Sequence, residues 1–536
     1  MKFSLVSVLA CSAIVSASWV KNLNYRSPSE NHPALGISLS KVNKRNTPDK
    51  KFTADQLNFT HGVASGDPYP IRRVAAADST FLIDSVILWT RVAPMVDDVN
   101  SNSTVSGYVP LYNHGPNVTV STAPVCVECK VARTADFKNV ESSGTAYTSS
   151  DIDYTVKVEA TRLSSWARYY YQFNVCGSNS TASPLGRTKT TPNPGDYVSN
   201  VGLAVYSCSN FPFGFFNAFG NPVRKDSVDF VLHLGDYIYE YAGDGDYGYG
   251  QSIGRVPKPE HIIYTLYDYR ARLATYRTDE DLLLSHQTYP WIPVWDLRQH
   301  IPRRSLRAKQ HRSILRHGRR RISASAQRGA RWRIISSQTV FSKINESVSY
   351  GNVNPLDYDA WDGYQANRNR TLNFLTQNNI GNNIVISGDS HASWVSDLVW
   401  LGHANYSADT GAGSLGVEFA GSAVSSPCPY GQNITQKSAN DFSDILEAAN
   451  PELHWNDLYY LNVSFFGLPT IVNRNPLEIS LVNFTVKSGA NALQRPIAGG
   501  IAESGSLKGG MIQQSNITNN TETGQYSIVV DDEEDI

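Results

Sequence analysis

The chain has no excess of either charge. Its 536 residues carry 47 Lys and Arg against 48 Asp and Glu, a net charge of -1. That balance gives no global basic surface for nucleic acid. After the N-terminus there is no apolar run long enough to span a bilayer. Cysteines are few, six in all. Cys126-Val-Glu-Cys129 has the spacing of half a zinc site, but no second pair follows it. No Ser or Thr nucleophile with a Lys partner is evident, which disfavours a covalent intermediate on a hydroxyl.

What is present starts with a targeting segment. Lys2 precedes an apolar run from Phe3 to Val15, and Val15-Ser-Ala17 offers small residues for cleavage. We therefore expect a signal peptide over 1–17 and a secreted, extracellular or wall-bound protein. Residues 18–54 are polar, include Lys44-Arg45, and are expected to be a linker or propeptide. Sequons at Asn58, Asn117, Asn179, Asn345, Asn369, Asn405, Asn433, Asn462, Asn483 and Asn516 suit an N-glycosylated secreted chain. In that setting a disulfide joins Cys176 to Cys126 or to Cys129; the sequence leaves the choice open. The end, 516–536, closes on the acidic tail Asp531 to Asp535.

Residues 55–190 alternate with strand periodicity. Val86–Thr90, Val125–Val131, Asp153–Val158 and Tyr169–Val175 are β-rich with turn residues around them, which suggests an immunoglobulin-like β-sandwich. Beyond the Pro-rich stretch 190–195, apolar strands alternate with helical stretches such as Pro259–Tyr276 and Ala366–Gln377. That pattern predicts an α/β layered domain over 196–515.

Three apolar strands in this second part end on chemistry. Leu203-Ala-Val-Tyr-Ser-Cys208-Ser-Asn210 stops on a thiol and an amide. Phe230-Val-Leu-His-Leu-Gly-Asp236 stops on a carboxylate, with Tyr239 and Glu240 just beyond. Ile384-Val-Ile-Ser-Gly388-Asp389-Ser-His391 stops on a carboxylate and an imidazole. Buried strands are short and apolar, and ligands gather beyond their carboxyl ends. Taken singly, Gly-Asp is usually a turn and such a Cys a small buried hydrophobe. Together the three ends predict a multi-metal site.

These segments, in this order, resemble the fungal branch of the PhoD-like alkaline phosphatases, within the metallophosphoesterases. The resemblance also rests on Phe59-Thr-His61-Gly-Val-Ala-Ser-Gly66-Asp67-Pro68, Val86-Ile-Leu-Trp89-Thr-Arg91, Tyr276-Arg277-Thr-Asp279, Val417-Glu-Phe419 and Val424-Ser-Ser-Pro427. It covers roughly residues 55 to 510 and makes 55–190 a PhoD-like N-terminal domain and 196–515 the catalytic domain. It implies a ferric ion held by Cys208, Asp236 and Tyr239, with calcium ions completing the site. Asp389 and His391 match the last ligand group, and Asp296 a further ligand. Asn210 matches a position near the site. The odd number of cysteines left after Cys11 departs with the signal fits one held as a thiolate. Ser390 stands where the family usually has Val, a change that should move neither neighbour. Glu240 reads as a residue supporting the ligands or a surface residue, with the surface reading preferred.

One segment departs from the pattern. Leu297 to Arg321 is crowded with Arg and His and has no acidic residue; the next acid is Glu346. In the family, the Trp-Asp pair matching Trp295-Asp296 continues into Asp, His and Glu, and that continuation is missing here. We expect 297–327 to be an aberrant basic insert, frameshifted or mis-spliced, with few contacts to the site. The resulting expectation is a secreted metal-dependent phosphatase acting on phosphomonoesters, phosphodiesters or both through metal-activated water. Asp236, His391 and Asn210 are its candidate catalytic residues, with no nucleic-acid partner favoured. The alternative is the same fold with an incomplete, inactive site.

Overall fold

In the computed structural model, the described residues are 57–58, 63–64, 84–94, 125–148, 154–178, 182–193, 201–226, 228–241, 250, 255–294, 318–327, 333–346, 360–381, 383–400, 405–408, 411–426 and 435–457. The signal peptide, the propeptide, the acidic tail, Asp296, Cys428 and most of the basic run lie outside them. Contacts divide the chain into two compact units. One is built on Met1–Tyr197, Glu240–Asp246 and Val256–Ile292; the other on Val198–Tyr239, Tyr247–Arg255 and Pro293–Ile536.

The first unit is antiparallel. The short strands β1 (Leu57–Asn58) and β4 (Ala93–Pro94) pair with each other. One sheet has the order β2 (Val63–Ala64), β3 (Val86–Arg91), β7 (Thr155–Ala160). A second has the order β6 (Val140–Thr148), β5 (Val125–Ala132), β8 (Arg168–Val175), β9 (Gly186–Lys189). Alternate residues of these strands point inward, as the period of two requires, so Leu88, Val127, Val131, Val156, Val158, Tyr169, Tyr171 and Phe173 share one core. Cys126 and Cys129 are three apart and so face opposite sides of β5. Cys129 is buried with a free thiol. Cys126 takes the bridge to Cys176, with Cα atoms 5.4 Å apart.

Two helices belong to this unit. The first spans Leu266–Tyr276, later than the Pro259 start expected from sequence. Thr265 and Asp268 form a reciprocal capping box that fixes where its hydrogen-bond ladder begins. The second, Glu280–Thr288, is capped by Asp279, whose carboxylate accepts from Asp281 N and Leu282 N. Arg277 lies 4.0 Å from the centroid of the Trp89 ring. The Tyr276–Asp279 motif is thus used for capping and packing.

The second unit is mixed. β10 (Leu203–Tyr206) and β11 (Phe230–His233) run parallel with every residue buried. β12 (Trp291–Pro293) straddles the boundary in sequence, with Trp291 and Ile292 in the first unit and Pro293 in the second. The large sheet has the order β13 (Arg333–Ser337), β14 (Asn383–Ser387), β16 (Gly416–Ala420), β15 (Ser393–Asp397), β17 (Leu453–Asp457). Its β13–β14 and β14–β16 pairs are parallel and its β15 pairs antiparallel. Helices Asn217–Lys225, Gln365–Gln377 and Gln436–Ala449 accompany these sheets. Within the expected basic insert, 318–327 forms a half-buried helix, and Ser325 Oγ accepts from Arg333 Nε at 2.9 Å.

Candidate metal centre

Each chemical group at the site is delivered by a strand that stops. β10 ends at Tyr206, and the chain turns through Ser207, Cys208, Ser209 and Asn210. β11 ends at His233 and leads to Asp236 and Tyr239; β14 ends at Ser387 and leads to Asp389 and His391. Backbone bonds tie these turns together. Cys208 N donates to Gly235 O at 3.2 Å and Ser209 N to Asp236 O at 3.0 Å, while Gly421 N donates to Ser387 O at 2.8 Å.

The result is a cluster drawn from distant parts of the chain. The ligand atoms of Cys208, Asp236 and His391 all lie within 4.8 Å of one another. Cys208 Sγ is 3.7 Å from Asp236 Oδ2. Tyr239 joins them: its hydroxyl donates to Asp236 Oδ2 at 3.0 Å and lies 3.3 Å from His391 Nε2. Cys208 and Asp236 are buried, and His391 is half-buried. Tyr239 and Asp389 are half-buried too, so the cluster meets solvent at Tyr239, Asp389 and His391.

The backbone at the site is unusual. Cys208 (φ 58°), Asp236 (φ 51°), Asp389 (φ 76°) and His391 (φ 52°) all adopt the left-handed region. For a residue with a Cβ that conformation costs about 1–2 kcal/mol, less for Asp. Strain of this kind collects where a side chain must be aimed. Ser390 stabilises the turn: its hydroxyl donates to Ala392 O at 3.0 Å and accepts from Trp394 Nε1 at 2.8 Å.

Electrostatically the site is a meeting of acids. Burial pushes the Cys208 thiol well up, and the neighbouring charges of Asp236 and Asp389 push it further. Burial, Cys208 and Asp236 likewise raise the Tyr239 phenol. Asn210 is buried, and its Oδ1 accepts no hydrogen bond among the described residues. The donor set fits a metal: a thiol, a phenol, a carboxylate and an imidazole converge, and a cation relieves the repulsion that holds their protons on.

Other sequence expectations fare differently. Glu240 is not on the surface. It is buried and accepts a hydrogen bond from Tyr269 OH, because the helix that carries Tyr269 covers it. Asp296 lies outside the described residues. Sequence reasoning assigned no role to Ser425 and Ser426, although they were part of the matching Val424–Pro427 segment. Both are buried against the Cys208 turn. Glu418, quoted only as part of a match, is fully buried on β16 and accepts from Phe341 N, Ser342 N and Ser387 Oγ, each at 2.7 Å.

Comparison with known proteins bears on the same residues. The PhoD-like phosphatase family matches residues 203–297 and 305–466, and its N-terminal domain family matches 44–192. The first match is broken only at 298–304, inside the basic run. Alkaline phosphatase D of Bacillus subtilis (strain 168) is 29% identical over 481 residues, covering 75% of this chain and 74% of that protein. A solved structure of PhoD is 26% identical, with a TM-score of 0.56 over 77% of this chain and 84% of that one. The chain belongs to the PhoD-like phosphatase family and is a phosphoric ester hydrolase.

Proposed function

We propose that this hydrolase is a secreted, metal-dependent phosphatase that cleaves phosphomonoesters, phosphodiesters or both. The observation that carries the reading is the convergence of Cys208, Asp236 and His391 within 4.8 Å, with the Tyr239 phenol hydrogen-bonded into them. Cys208, Asp236 and Tyr239 would hold a ferric ion, since thiolate and phenolate suit ferric iron. Calcium takes oxygen donors, and Asp389 and Asp296 would contribute to its share of the site, with His391 closing the ligand group. When bound, these ions would supply positive charge for the phosphoryl oxygens and activate the attacking water.

The chain's own groups do the rest. Before metal binds, Asp236 accepts from the Tyr239 hydroxyl and so keeps the phenol aimed at the site. An ester would enter past the half-buried Tyr239, Asp389 and His391. Asn210 carries a buried carboxamide that would donate from Nδ2 to a phosphoryl oxygen. Export is supported by the Cys126–Cys176 disulfide, a bond of oxidising compartments. Among the described residues, no helix is long and apolar enough to cross a membrane. In this reading 1–17 is the signal, 55–190 an immunoglobulin-like N-terminal domain and 196–515 the catalytic domain, with N-glycans on exposed sequons.

Metal analysis together with turnover of p-nitrophenyl phosphate and bis-p-nitrophenyl phosphate tests the reading. Iron with turnover supports it, and the ratio of the two rates gives the ester preference. Metal-free protein with full turnover would sink the metal assignment.

A further inference from the structure

The segment after β16 clamps the Cys208 turn. Val424 N donates to Ser207 O at 2.9 Å, and Ser425 N and Ser426 N both point at Cys208 O, at 3.4 and 3.3 Å. The two serine hydroxyls then diverge. Ser425 Oγ donates to Asn210 O at 2.8 Å. Ser426 Oγ has two acceptors within reach, Cys208 O at 3.0 Å and Tyr239 Oη at 2.9 Å. Both serines are buried, so water does not compete for these bonds.

A serine hydroxyl has one hydrogen to give. The Cys208 carbonyl already receives two backbone N–H groups, whereas Tyr239 Oη passes its own hydrogen to Asp236 Oδ2 at 3.0 Å. While the phenol keeps its hydrogen the bonds run from Ser426 to Tyr239 to Asp236; as a phenolate on iron, Tyr239 has none to give and only accepts from Ser426. We propose that Ser426 is a positioning residue of the metal centre, whose hydroxyl holds the Tyr239 oxygen in place and sets its strength as a donor to iron. This rests on Tyr239 being a ligand to iron. Groups that hydrogen-bond to a metal's ligands orient them and tune the metal. A hydrogen bond given to a phenol oxygen draws electron density from it. Charge transfer from that oxygen to ferric iron then needs more energy.

The test is the visible absorption band of the iron-loaded, full-length protein. Ser426→Ala should keep the fold and move the band to longer wavelength, with iron affinity down roughly 10–100-fold. Ser426→Cys, a weak donor, should shift it less in the same direction. Ser426→Thr should restore it. Ser425→Ala removes the matching bond to Asn210 O and should leave the band where it was. An unmoved band in iron-loaded Ser426→Ala and Ser426→Cys overturns the proposal. So does an equal shift in Ser425→Ala, which would make the effect one of backbone packing. If the unsubstituted protein with ferric iron bound shows no such band, Tyr239 is not a ligand, and the assignment beneath the proposal fails first.

Discussion

Gly388 packs against Ser207 so closely that a methyl group on it would lie 2.6 Å from Ser207 Cβ and 2.8 Å from Ser207 Oγ. Ser207 precedes Cys208, and Gly388 precedes Asp389. The absence of one side chain lets two turns from distant parts of the chain come together. Gly388→Ala should push them apart and cost at least tenfold in iron affinity or turnover, by the sensitivity of metal centres to misplaced support. The double variant with Ser207→Gly should recover part of the loss. Iron content by elemental analysis reads both, and normal iron in Gly388→Ala would show that the turns have slack.

Cys208→Ala and Asp236→Ala should each remove iron and its colour. Neither should unfold the N-terminal unit, whose core lies elsewhere. Circular dichroism with metal analysis distinguishes loss of metal from loss of fold. Iron retained in both variants excludes the ligand assignment.

His391→Ala should lower metal affinity or turnover by roughly 10–100-fold or more. A histidine that only packs would give a different result: a lower melting temperature with unchanged activity per folded molecule.

Glu418 offers a pH test on a residue outside the candidate ligand set. Burial is the largest influence on it and raises its carboxyl above the ordinary value of 4.5. A raised acid favours the fold while protonated. Its contribution is full below about pH 4.5 and is lost as pH rises through the raised value. The stability gap between the native protein and Glu418→Gln should therefore be widest in acid and shrink as pH rises. At every pH the amide would turn N–H against one of three donors, costing about 1–3 kcal/mol. Chemical denaturation from pH 4 to 8 measures both effects; a gap that widens with pH refutes the first.

The basic run calls for a genetic test. We expect the transcript across codons 290 to 335 to differ from the sequence of this chain. A version with Asp-His-Glu restored after Asp296 should turn over phosphate esters at least tenfold faster. An intact transcript with equal turnover would remove the idea of a defect. Within the expected 297–327 segment, 318–327 forms a helix, and the family match resumes at 305.

Much of the site was legible because burial leaves a plain signature. β10, β11 and β14 are apolar runs closed by turn residues, and their ends carry Cys208, Asp236, Asp389 and His391. The alternation in β3, β5, β7 and β8 was equally open. What could not be read depends on partners far along the chain. Glu240 is buried by Tyr269, and Ser426 matters because Tyr239 lies 187 positions away. Cys126 and Cys129 are alike until β5 has a direction. β6 went unseen because it is largely exposed and its polar residues leave no alternation.

The left-handed backbone at Cys208, Asp236, Asp389 and His391 has a consequence for how such a protein ages in evolution. At each position a glycine would relieve the main chain. A lineage that no longer needed phosphate ester hydrolysis would find its easiest gains in stability at these sites, and drift toward glycine or asparagine would erase these four side chains early. This chain keeps a thiol, two carboxylates and an imidazole in the places where its backbone least favours them.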